Sequence, residues 1–195
     1  MGRTITKEEI SILEIEEFRG RVVVVDTIEK AEKAVKYLSS FSKLGFDTET
    51  RPSYRKGCVF GVALIQLSTD DTCFLFRLSI IGFPDCLIRL LSNLGIQKIG
   101  LSLRDDFLSM SRRKKFVPQG FLDLQTIVSQ HDIKDISLQK VYALLFEKKI
   151  SKSQRLTNWE SDMLTEAQQK YAALDAWACL KVYEKLIEEK NNVIT

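Results

Sequence analysis

The sequence predicts an α/β layer fold: one mixed sheet flanked by helices, in a single domain. Three observations carry that prediction. Strand-like runs follow one another at Leu44 to Glu49, Val59 to Leu67 and Cys73 to Arg77, the last two joined by a short polar link, Ser68-Thr-Asp-Asp-Thr72, suited to an antiparallel hairpin. Helical and strand-like segments then alternate, the order that connects parallel strands. The composition is that of an ordinary globular chain: 195 residues, 45% apolar and 28% charged. That length buries a core without a disulfide or metal staple.

Taken in order, Thr6-Lys-Glu-Glu9 is a capping box that starts a short helix in an N-terminal arm, residues 1–20. The domain, 21–195, opens with the apolar run Val22 to Val25, read as a buried strand. Thr27 caps an amphipathic helix to about Leu38, with Ala31, Ala34, Val35 and Leu38 on one face. After the three strand-like runs, with the basic loop 51–57 between the first two, a helix spans Pro84 to about Leu94. A strand at Lys98 to Leu101 feeds a helix from about Leu103. Further helices fit Leu124 to Gln130 and Ser137 to Phe146. A second capping box, Thr165-Glu-Ala-Gln168, starts the longest helix, to about Lys190.

No apolar run approaches the ~18 residues of a membrane span, and the acidic start lacks the apolar core of a secretory signal. The four cysteines show no CxxC spacing and read as buried, reduced thiols. A soluble, intracellular, cytoplasmic protein with no membrane partner is expected. The net charge of +3 is compatible with a polyanionic partner without requiring one.

The acidic residues carry the chemistry. Strand alternation puts Asp47 and Glu49 on one face together with Gly45. By itself such a pair also fits a solvated strand end. Asp175 sits inside Tyr171-Ala-Ala-Leu-Asp-Ala-Trp-Ala-Cys-Leu180, apolar nearly all round, where a carboxylate needs a partner arginine or a metal. Asp105 and Asp106 open the helix after a middle strand. With roughly 100° per residue, Leu103, Phe107 and Met110 cluster within about 60° as the inward face. Asp106 falls at the rim of that face and Asp105 toward solvent.

Phe46-Asp-Thr-Glu49, Val62-Ala-Leu-Ile-Gln-Leu67, Ile99-Gly-Leu-Ser-Leu-Arg-Asp-Asp-Phe107, Asn158-Trp159 and Tyr171-Ala-Ala-Leu-Asp-Ala-Trp177 occur in the order of a known family. On them the chain resembles the DnaQ-like 3'-5' exonucleases with a tyrosine in the last motif, in the branch of ribonuclease D and the Werner-type exonuclease domain. The resemblance implies a ribonuclease H-like fold and metal-dependent hydrolysis at a nucleic-acid 3' end, releasing nucleoside 5'-monophosphates. It implies two divalent ions, Mg2+ or Mn2+, held by Asp47, Glu49, Asp106 and Asp175. Asp47 would bridge both ions and Tyr171 would align the attacking water. Hard carboxylate oxygens suit such ions, and two-ion sites serve phosphodiester displacement. The other branch of the family carries a histidine where Lys170 stands. His131, the single histidine, reads as structural or solvated.

The partner implied is single-stranded or 3'-ended DNA or RNA. Phosphates require cations and bases require flat groups. Arg51, Arg55 and Lys56 after the first acidic strand, and Lys152, Arg155 and Trp159 before the last helix, are the expected contacts, although ordinary solvated loops and a core tryptophan fit the same residues. The run Arg112 to Lys115 fits the C-terminal end of a helix equally well. A non-catalytic nucleic-acid-binding module on the same fold is the alternative reading.

Overall fold

A computed structural model describes residues 2–53 and 60–194. Arg55, Lys56 and Cys58 lie outside them. The elements are α1 (Lys7–Ser11), β1 (Glu14–Ile15), β2 (Arg21–Val25), α2 (Ile28–Leu38), β3 (Lys43–Thr50), β4 (Val62–Ser68), β5 (Thr72–Arg77), α3 (Leu78–Ile81), α4 (Asp85–Leu91), β6 (Gln97–Gly100), α5 (Arg104–Arg113), β7 (Phe121–Asp123), α6 (Leu124–Val128), α7 (Leu138–Phe146), β8 (Lys148–Lys149) and α8 (Glu166–Ile194).

The main sheet runs β2-β5-β4-β3-β6-β7. β3, β4 and β5 pair antiparallel as expected, whereas β2, β6 and β7 add parallel to their neighbours. One face carries α2, α4 and α5 over Leu38, Phe46, Ile65, Leu67 and Met110. The other carries α6, α7 and α8 over Leu64, Leu75, Ile99, Val141 and Ala176. The expected α/β layer architecture with a mixed sheet flanked by helices is therefore what forms.

Local chemistry sets the ends of the elements. Thr6 and Glu9 cap each other at α1, and the Thr27 side chain caps α2. At α8 the Thr165 amide donates to Gln168 Oε1 (2.9 Å) and the Gln168 amide donates back to Thr165 Oγ1 (3.2 Å). α4 is shorter than its apolar pattern suggests, because Ser92 ends it. β4 begins at Val62 rather than Val59, which lies outside the described residues. The three-residue edge strand β7 and the two-residue pair β1–β8 were not legible in the sequence, since so few residues show no alternation. The arm packs onto the rest of the chain through residues 16 and 18: the Tyr142 hydroxyl and Lys148 Nζ both donate to Glu16 (2.9 and 3.1 Å), and Phe18 is buried in the α8-side core.

Two features place the site. β3 outruns β6, which pairs only with Lys43 to Gly45, so Asp47 and Glu49 project beyond the end of their neighbour. On the other side, the register shift between Glu49 and Thr50 inserts Ala63 as an extra residue in β4, a bulge that ends regular pairing beside them. Gly45 then admits α8: a Cβ there would lie 2.0 Å from the Ala176 carbonyl oxygen. That close approach carries Asp175 down onto the acidic end of β3.

Candidate metal and nucleic-acid site

Carboxylate oxygens of Asp47, Glu49 and Asp175 all lie within 4.8 Å of one another. Glu49 and Asp175 are buried, 9% and 8% exposed, and Asp47 is half-buried. Among the described residues none of the three forms an ion pair with a lysine or arginine, so the partner arginine that Asp175 could have met is not there. Three acids so placed repel one another.

Burial, then Asp175, Asp106 and Glu49, push the Asp47 carboxyl well above the usual carboxylate range. Burial, then Asp175 and Asp106, raise Glu49 to about 9, against the opposing pull of Arg155. Burial raises Asp175 to about 7, while the Tyr171 hydroxyl and the Lys152 ammonium act to lower it. The Tyr171 hydroxyl is pushed far above its ordinary value by burial and by Asp175, Glu49 and Asp47. It therefore keeps its proton throughout the working pH range.

Asp106 is nearby but turned aside. The Thr48 hydroxyl, on the opposite face of β3 from Asp47, donates a short hydrogen bond to Asp106 Oδ1. Burial raises Asp106 to about 6, opposed by that hydroxyl. The expected meeting of four acids is thus a cluster of three with the fourth held at its edge. The helix phase is as expected: Leu103 and Met110 are buried, Asp106 is half-buried and Asp105 is exposed. α5 is aimed by a residue the sequence reading missed. Asp123 accepts the Ser102 and Leu103 amides (both 2.9 Å), holding the tight turn in which Ser102 takes φ 62°. A lone aspartate at the end of a three-residue strand carries no sequence signal of that kind.

A cleft of 290 Å³ of mixed polarity opens over Asp47, Asp175 and Tyr171, with Lys152 and Arg155 from the 150–164 segment and Ser137 and Gln139 from the start of α7 in its wall. A larger cleft of 710 Å³, between α5 and β7, is mostly apolar. Its one acid, Asp123, is already satisfied by three backbone amides, which leaves the smaller cleft as the candidate site. Arg77 fastens the 150–164 segment by donating to the carbonyls of Ser161 and Asp162. Glu160 is bridged by Arg51 (3.5 Å) and Arg113 (3.6 Å).

Of the expected nucleic-acid contacts, Lys152 and Arg155 line the cleft, and Arg51 stands at Glu160 with its guanidinium 5.0 Å from the Phe60 ring centre. Arg55 and Lys56 lie outside the described residues. Trp159 requires a correction. It is 0% exposed and packs 6.0 Å, centre to centre, from the Tyr171 ring. An indole so enclosed has no face for a base and instead supports Tyr171. Two residues of the basic run at 112–115 are engaged in structure: Arg113 donates to the Val62 and Leu78 carbonyls and Lys114 pairs with Asp85. Lys170 pairs with Glu166 at 2.7 Å, and His131 lies 3.9 Å from Glu189.

A 3'-5' exonuclease family profile matches residues 22–190. The chain belongs to the 3'-5' exonuclease family. The mouse bifunctional 3'-5' exonuclease/ATP-dependent helicase WRN is 36% identical over 156 residues, which is 76% of this chain and 11% of that protein. The chain thus spans about a tenth of that relative. Among solved structures, this exonuclease-family chain superposes on the Aedes aegypti Nibbler EXO domain with a TM-score of 0.80 at 22% identity, covering 91% of this chain and 94% of that one. Trypanosoma brucei RNase D in complex with RNA U12 gives a TM-score of 0.76 at 23% identity, over 87% and 63% of the two chains. Those neighbours share the ribonuclease H-like fold of the family.

The unpaired acids give stability a definite pH dependence. In metal-free buffer the folded chain keeps protons on carboxyls with values of about 6, 7 and 9, whereas unfolded carboxylates titrate near ~4. The folded state binds more protons, so this contribution to stability is complete below about pH 4 and is lost as pH rises through the folded values. Each unit of difference is worth about 1.4 kcal/mol. The melting temperature in chelator is expected to fall by at least about 5 °C between pH 5 and 9, and Mn2+ to restore it. A melting temperature that rises over that interval would show acids paired to cations instead.

Proposed function

We propose that this chain is a metal-dependent 3'-5' exonuclease, hydrolysing phosphodiester bonds at the 3' end of a nucleic acid and releasing nucleoside 5'-monophosphates. The observation that carries this reading is the buried cluster of Asp47, Glu49 and Asp175, carboxylates only, to which no lysine or arginine is ion-paired among the described residues. Such an all-oxygen set fits hard divalent ions such as Mg2+ or Mn2+. Two ions bound there would neutralise charge on the reacting phosphate and lower the pKa of water. Asp47, Glu49 and Asp175 would hold them, with Asp106 joining once it leaves Thr48. Tyr171, whose hydroxyl stays protonated, orients the attacking water by hydrogen bonding rather than removing its proton. Lys152 and Arg155 meet the phosphates of the strand, and Arg51 lies further out. The relation to RNase D captured with RNA supports a nucleic-acid substrate, DNA or RNA, single-stranded or with a recessed 3' end. The buried thiols Cys73, Cys86 and Cys179 suit a reducing, cytoplasmic setting; no helix among the described residues is long and apolar enough to cross a membrane.

End-labelled single-stranded and recessed-duplex DNA and RNA, digested with Mg2+ or Mn2+, test this directly. Mononucleotides released stepwise from the 3' end are expected. Metal binding and strand binding without any release would mark a non-catalytic nucleic-acid-binding module instead. Within the same assay Asp106→Asn is expected to lower turnover at least tenfold, the lower end of the change for a group that supports a bound metal, while exposed Asp105→Asn stays near the parent. The reverse outcome would remove Asp106 from the site.

A further inference from the structure

Gln66 is fully buried, and among the described residues neither its Nε2 nor its Oε1 meets a hydrogen-bond partner. It lies directly opposite Asp47 in the antiparallel β3–β4 pair and opposite Leu75 on β5. Opposed residues share a sheet face, with Cβ atoms about 4.5–5.5 Å apart. That face is the one under α8, because Leu64 and Leu75, in phase with Gln66, belong to the α8-side core. A primary amide without a partner in such surroundings costs free energy that an aliphatic side chain of the same size does not. Packing therefore gives no reason for glutamine here. Asp47 gives one: among the described residues no side chain donates a hydrogen bond to it, and Gln66 brings two N–H donors to the adjacent place in the sheet.

We propose that Gln66 is a positioning residue: its Nε2 donates to the Asp47 carboxylate when that carboxylate faces a divalent ion, fixing which oxygen points to the ion. The inference rests on the metal-dependent reading above. Partners that orient a ligating side chain commonly change metal affinity by 10–100-fold when removed. An orphaned amide that becomes satisfied on metal binding also links the two events, since the cost in the metal-free chain is relieved in the loaded one.

The test uses the whole chain with Gln66→Met, an unbranched side chain of the same length without the amide. Calorimetric titration with Mn2+ is expected to show at least tenfold weaker binding, while the melting temperature in chelator stays the same or rises. Affinity within twofold of the parent overturns the proposal. So does weaker binding accompanied by a lower melting temperature in chelator, which would mean general damage to packing. A second measurement needs no variant: on titrating the parent with Mg2+, the assigned Gln66 side-chain amide protons should move downfield as they enter a hydrogen bond. Resonances that stay in place overturn the proposal while leaving the metal site intact. A parent that binds no Mn2+ at all overturns the metal-dependent reading and this inference together.

Discussion

Asp47→Asn, Glu49→Gln and Asp175→Asn are each expected to bring nuclease turnover down to background while the metal-free chain melts at the same or a higher temperature. The two halves of that result have one cause. The three carboxylates lie within 4.8 Å of one another, and mutual repulsion adds to the cost of burial at Asp47 and Glu49. Removing any one charge relieves the other two in the absence of metal, and removes a ligand in its presence. The gain should be largest near pH 9, where all three are driven toward ionisation, and much smaller near pH 5, one unit above the unfolded value of ~4. Melting curves in chelator at both pH values, set beside digestion rates with Mn2+, check both halves. A large loss of stability in chelator would identify the acids as structural and remove the basis for the proposed chemistry.

Tyr171→Phe is expected to lower turnover by about 10²-fold with little change in substrate affinity, the scale of a group that handles or orients a proton in the transition state. The substitution keeps the ring against Trp159 and deletes only the hydroxyl that faces Asp175. Because that hydroxyl is held far above its ordinary pKa, the parent's rate should show no rise with pH attributable to tyrosine ionisation. Loss of the hydroxyl also removes one of the influences that lower the Asp175 carboxyl, so Asp175 in the variant should titrate somewhat higher. Single-turnover rates and strand affinity measured separately distinguish the two effects. An unchanged rate would remove Tyr171 from the mechanism and leave it a packing residue.

Much of this was legible in the amino-acid order because the governing interactions are local. Capping boxes at Thr6 and Thr165, the apolar stripe of α2 and the alternation that turns Asp47 and Glu49 the same way all act within a few residues. The helix phase of α5 likewise separates Asp106 from Asp105 without any long-range information. The exonuclease motifs carry the family's signature in their order along the chain alone.

Other features depend on groups distant in sequence, and no local pattern encodes them. Whether Trp159 offers its face to a base or hides it depends on how the 150–164 segment is fastened by Arg77, 82 positions before it in the chain. That fastening buries the ring. Whether Asp106 joins the other acids or turns to Thr48 depends on where Asp123 anchors the start of α5. The approach of α8 to β3 depends on Gly45 meeting Ala176, and the isolation of the Gln66 amide on the pairing of β4 with both its neighbours. The sequence by itself determined the longer elements, the family and which residues bear charge, because periodicity and capping are short-range. Tertiary structure alone decided which of those charges meet, because burial and repulsion depend on distances that only packing sets.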